Sequence, residues 1–102
     1  MVETPGVLEM IIRQVTAYEN ILKAIIQQLN NPSPRYKKST IQKRHAKYER
    51  IIDTFERKGR DIEAWAKRKN LSFTAVILFD LVEKARTLLK QRIEENNERP
   101  DK

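Results

Sequence analysis

Residues 7–30 read VLEMIIRQVTAYENILKAIIQQLN, and this stretch decides the fold class. Leu8, Val15, Leu22 and Leu29 recur every seven residues, and Ile11, Tyr18 and Ile25 each follow one of the first three by three. These are the a and d positions of a heptad-patterned helix, because a 3.6-residue turn returns to nearly the same face after seven residues. Ile12 and Ile26 at e, with Ile21 at g, widen the apolar stripe beyond a two-stranded seam. Such a face needs more than one neighbouring helix. Thr4 and Pro5 suit an N-cap followed by proline at the first helical position, and Asn30-Asn31-Pro32 closes the segment. A first helix over about 5–29 follows.

Pro32 and Pro34 push the residues before them out of helical geometry, and either Ser33-Pro34 or Ser39 suits the start of a second helix. Ile41, Tyr48, Phe55 and Ile62 then repeat every seven residues, with His45, Ile52, Gly59 and Ala66 at the paired positions. This stripe is thinner and more polar than the first. Gly59 in a helix interior marks a kink or a close approach of two helices, since it costs about 1 kcal/mol relative to alanine. The run Lys67-Arg68-Lys69-Asn70 reads as a C-terminal turn with Asn70 as a left-handed cap, which gives a second helix over about 35–68.

Ser72 is placed to cap a third helix, and Leu71 and Val76 have the spacing of a hydrophobic staple. Ala75, Leu78, Val82, Ala85 and Leu89 line one edge, widened by Leu81, Leu88 and Ile93. This predicts a helix over about 72–96 and a frayed polar tail over 97–102. Two glycines, four prolines at element ends, 39% apolar and 34% charged residues suit a few long, exposed helices. The expected architecture is all-α: a single domain over 1–102, an elongated antiparallel three-helix bundle with coiled-coil-like packing.

Charge is distributed unevenly. Residues 1–34 carry −1, residues 35–69 carry +8 and residues 70–102 carry 0, so the net +7 belongs to the second helix. Arg35, Lys37, Lys38, Lys43, Arg44, Lys47 and Arg50 are the candidate polyanion-binding residues, with Glu49 the one acid among them. Lys43, Lys47 and Arg50 stand on one side of the helix, away from the apolar stripe, as a row suited to phosphates. Tyr36 and His45 are candidates to stack on an unpaired base. A solvated face is the competing reading of the row. His45, between Ile41 and Ile52, also reads as a boundary residue with one ring nitrogen bonded to a neighbour.

Chemistry beyond binding has little support. With no cysteine and one histidine there is no thiolate nucleophile, no cysteine-ligated metal and no triad. Glu49, Asp53 and Glu56 are explained as surface ion-pair partners, Asp53 with Arg57 and Glu56 with Arg60 at i,i+4. No catalytic, metal-binding or cofactor-binding residue is therefore assigned, and no cofactor is expected. No apolar run approaches the roughly 18 residues of a membrane span, and no leader pattern opens the chain, so the expected location is intracellular, cytoplasmic or nuclear.

The apolar content of the first helix exceeds what two thinner partners would cover, which predicts a homodimer or a helical protein partner. Ile12 and Ile26 are candidates for that contact. Trp65, near the end of the second helix, either closes the bundle or anchors the partner, and Phe79, adjacent to inward-facing Leu78, points to a second subunit or the bundle edge.

The order of these features, an apolar helix, a short break, RHAKYERIIDTFERKGRDIEAW over 44–65 and LFDLVEKARTLLKQRIEE over 78–95, resembles the N-terminal helical segment of Gag-like proteins of insect BEL/Pao-type LTR retrotransposons. Tyr48, Ile52 and Phe55 occupy the positions of that family's spaced leucine, tryptophan and phenylalanine, and Phe79, Leu88 and Leu89 those of its third helix. Basic Lys67-Arg68-Lys69 stands where acidic residues are typical. The resemblance implies a Gag-derived assembly or interaction module.

The combined expectation is a non-enzymatic oligomerisation or protein-interaction module whose basic middle helix contacts RNA or DNA. The alternatives are a sequence-specific DNA-binding regulator, which these long helices suit poorly, and a membrane-surface module, which would need an apolar strip beside the basic row.

Overall fold

The computed structural model describes residues 3–31 and 36–98, which form three α-helices: α1 (Glu3–Asn30), α2 (Lys38–Arg68) and α3 (Val76–Asn97). Among the described residues there is no strand. The molecule measures 63 × 18 × 17 Å, and its radius of gyration of 17.0 Å exceeds the ~13 Å of a compact domain of this size. It is a rod one helix-bundle thick, with a long, narrow core.

The heptad reading places that core. Every a and d residue of α1 from Leu8 to Leu29 is buried or half-buried. On α2 the paired line His45, Ile52, Gly59 and Ala66 is buried, and the line Ile41, Tyr48, Phe55 and Ile62 is half-buried beside it. On α3, Ala75, Leu78, Val82, Ala85 and Leu89 are all buried, and Leu81, Leu88 and Ile93 flank them.

The two seams of α2 differ in character. Gly59 faces α3, and α2 runs without interruption through it, so the glycine serves close approach and no kink forms. A Cβ there would lie 2.7 Å from Leu78 Cδ2 and 3.1 Å from Phe79 Cε1. Toward α1 the side chains are aromatic: Tyr18 stacks on Phe55 with centroids 4.7 Å apart, and the Tyr48 hydroxyl donates to Gln28 Oε1. α3 accordingly packs closely along both partners, whereas α1 and α2 are propped apart.

Several boundaries differ from the sequence reading. The first helix begins at Glu3, so Thr4 lies inside it. The second begins at Lys38 after an extended Lys37 that makes no side-chain cap, which places Ser39 within the helix, while Ser33 and Pro34 lie outside the described residues. Its end follows expectation: Asn70 adopts φ 59°, Leu71 N–H donates to Ala66 O and Asn70 N–H to Lys67 O, the paired bonds of a Schellman cap.

The third helix starts at Val76, four residues later than expected from Ser72. Ser72 and Val76 are exposed, so neither the cap nor the staple forms. The reason lies in another helix. Glu63 of α2 accepts a 2.6 Å bond from the Ala75 N–H, and Phe73 packs on the core, holding residues 71–75 as a non-helical connection.

The third helix ends at Asn97, the first residue of the expected tail, and its last turn is docked. Asn96 is 3% exposed and its Nδ2 donates to Lys38 O at 3.3 Å, while Lys38 Nζ donates to Asn97 O at 3.1 Å. The C-terminal end of α3 is thereby clasped to the first turn of α2, and residues 99–102 lie outside the described part.

Candidate nucleic-acid interface

The basic residues of α2 do not all share one environment. Lys43, Lys47 and Arg50 are exposed along the outer face and have no ion-pair partner among the described residues, as the helical spacing predicts. Lys37 is exposed at the N-cap. Lys38 is turned toward Asn97 and leaves the row. Arg44 lies over the Tyr36 ring, 4.4 Å from its centroid, and Arg35 falls outside the described residues.

One cation joins the row that sequence spacing assigns elsewhere. Asp53 pairs with Arg86 of α3 and not with Arg57, which is left exposed and unpaired among the described residues. Glu56 pairs both with Arg60, as expected at i,i+4, and with Arg86 at 2.9 Å. Arg86, bonded to it, holds the Glu56 carboxyl below the usual carboxylate range, with Arg60 assisting. A guanidinium from a different helix thus takes both acids toward the α2–α3 seam. Lys43, Lys47, Arg50 and Arg57 remain along the outside, and at 1.5 Å per residue they span ~21 Å.

The propped α1–α2 seam opens at both ends. At the hairpin end a cleft of about 160 Å³ is lined by Asn31, Tyr36, Arg44, His45, Tyr48 and Arg92 among others. His45 is 8% exposed, makes no hydrogen bond among the described residues, and is pushed below its ordinary pKa by burial, so it is neutral near pH 7. The expected bond from one of its ring nitrogens is therefore not found. At the opposite end, Val7, Met10, Ile11, Gln14, Ile62 and Trp65 line a mostly apolar trough of about 550 Å³ bordered by Asp61 and Arg68.

The four residues expected at a partner contact do not share one surface. Trp65 lines the trough and carries Lys69 Nζ 5.9 Å from its ring. Phe79 covers Gly59 on the α2–α3 seam, Ile26 packs on the core, and Ile12 is 49% exposed. Among the described residues the most exposed large apolar side chains are Met10 (70%), Val76 (66%) and Ile77 (61%), which heptad spacing does not single out. A methionine at an outer position carries no sequence signal of a trough formed by two helices.

Among the described residues no group of three or more His, Asp or Glu side chains is placed to hold a metal, and no helix is long and apolar enough to cross a membrane. No protein-family model, curated protein or solved structure matches this chain.

Proposed function

We propose that this chain is a non-enzymatic helical interaction module that binds nucleic acid by its phosphates along α2 and self-associates through apolar surface beside α1. The observation that carries the reading is the row Lys43, Lys47, Arg50 and Arg57, unpaired among the described residues, from which Asp53 and Glu56 of the same helix are drawn away by Arg86. Four cations on one straight edge suit a flexible strand, and they offer no base-edge recognition. Exposed Met10 and the Trp65 trough supply the apolar surface, and association would multiply weak phosphate contacts into avidity. The Gag-like resemblance fits the same reading, as an assembly segment that gathers nucleic acid by repetition.

Fluorescence anisotropy with single-stranded RNA and DNA across salt concentrations tests the first half. Four neutralised phosphates correspond to a slope of log K against log salt of about −2.8, at ~0.7 per contact. Lys43→Gln, Lys47→Gln and Arg50→Gln together should bring it to about −0.7 with little dependence on base sequence. An unchanged slope in that variant would overturn the binding assignment. A strictly monomeric mass at all concentrations in sedimentation would overturn self-association.

A further inference from the structure

We infer that the cleft at the α1–α2 hairpin end is a binding site for a phosphate monoester. Among the described residues no carboxylate lines it, whereas Arg44, Arg92, His45, Tyr36 and Asn31 carry groups able to donate hydrogen bonds; the Tyr48 hydroxyl already donates to Gln28. Arg44 has no acidic partner among the described residues. Arg92 is fixed in place by its Nε bond to Leu29 O at 2.7 Å and by an ion pair with Glu95 at 3.0 Å, and Glu95 is not among the described residues that line the cleft.

His45 is the second, independent sign. It is more than nine-tenths buried, lines the cleft and makes no hydrogen bond among the described residues, and its ring nitrogens are not sealed from solvent, so they are open to a ligand that enters the cleft. The groups around it are Tyr36, Arg44 and Tyr48 from the hairpin and α2, Arg92 from α3, and the neutral Gln28, Leu29 and Asn31 from the α1 end. Nothing in this set competes with an anion for the imidazole. The first turn of α2 adjoins the cleft through Ile41 and contains no acidic residue, so the positive end of the helix dipole is not offset there. A volume of about 160 Å³ holds roughly five waters at ~30 Å³ each, room for a phosphoryl group and its ester oxygen.

The site is separate from the outer row, and either free phosphate or the terminal phosphate of a strand has the required chemistry. Because His45 is the chain's one histidine, its imidazole gives a single, assigned NMR probe. Titration of the full chain with inorganic phosphate at constant ionic strength should shift that resonance saturably, with chloride as the control. Arg44→Gln should weaken binding about tenfold, by loss of a charge-assisted bond. No shift beyond chloride, a non-saturating shift, or equal binding by Arg44→Gln would overturn the proposal. A 5′-phosphorylated oligonucleotide favoured over its 5′-hydroxyl form, in an Arg44-dependent way, would identify the strand end as the source. Equal binding of the two forms beside saturable phosphate binding would identify free phosphate. The Lys43/Lys47/Arg50→Gln variant should leave the phosphate titration intact, which separates failure of the row from failure of the cleft.

Discussion

Replacing Gly59 by alanine sets two effects of similar size against each other, and the geometry decides the sign. Alanine in a helix interior is favoured over glycine by about 1 kcal/mol. Here the new methyl would meet Leu78 Cδ2 at 2.7 Å and the Phe79 ring at 3.1 Å. Leu78 is fully buried, so the clash falls inside the core, and overpacking of about 1–3 kcal/mol applies. The expected net result is destabilisation of about 1 kcal/mol. Leu78→Val removes the obstructing δ-methyl at its own cost of about 1 kcal/mol, and in that background Gly59→Ala should become stabilising by nearly the full helix preference. The coupling between the two positions is then about 2 kcal/mol, within the range for residues in contact. Urea denaturation of the four proteins of the cycle measures it. If Gly59→Ala stabilises the parent chain, or has the same effect in both backgrounds, the two backbones are not as close as described and the account of the α2–α3 seam is wrong.

Other perturbations probe the remaining devices. Asn96 leaves a buried Oδ1 without a partner among the described residues, so Asn96→Leu should raise stability by about 1 kcal/mol and the melting temperature by roughly 4–8 °C, with calorimetry as the check; a lower melting temperature would mean the bonds of Asn96 outweigh the cost of burying its amide. Glu63→Ala should cost about 1–2 kcal/mol and accelerate hydrogen exchange at the Ala75 amide, with Glu63→Gln recovering part of both. Because burial lowers the His45 pKa in the folded chain, the unfolded chain binds the proton first, and stability should fall as pH drops from about 6.5 through the folded value. That loss should vanish in His45→Gln, and saturating sulfate, whose charge is constant over this range, should reduce it if the cleft binds anions; pH-dependent urea midpoints read both.

What was legible in the sequence is what lies on one helix. The a and d residues of α1, the buried edge of α3 and the left-handed Asn70 cap follow from periodicity and local turn chemistry, because their causes sit within a few residues of their effects. What was hidden is what one helix does to another. Glu63 sets the start of α3 from twelve residues upstream, and no local rule competes with Ser72 for that role. Arg86 takes Asp53 from Arg57 although the i,i+4 spacing favours the nearer partner. Asn96 reads as an ordinary polar residue at a helix end because its burial depends on Lys38, 58 positions away. The same limit applies to the candidate site: the outer row is a one-helix pattern and was visible, whereas the cleft needs side chains from all three helices.

The arrangement of the acids has a functional consequence that Arg86 can test without touching any ligand. It stands on α3, away from the outer row, and bonds both Asp53 and Glu56. Arg86→Met would release Asp53, whose next available cation is Arg57 at i+4, and would leave Glu56 with Arg60 alone. Surface pairs contribute only about 0–1 kcal/mol, and Arg86 is 44% exposed, so the fold should survive with a small loss of stability. Nucleic-acid binding should nevertheless weaken, because Arg57 would exchange a phosphate for a carboxylate and the salt slope would fall by about 0.7. Asp53→Asn in the same background should restore the slope. If Arg86→Met leaves binding and its salt dependence unchanged, the row ends at Arg50, and segregation of the α2 acids toward α3 serves packing of the bundle rather than display of its charge.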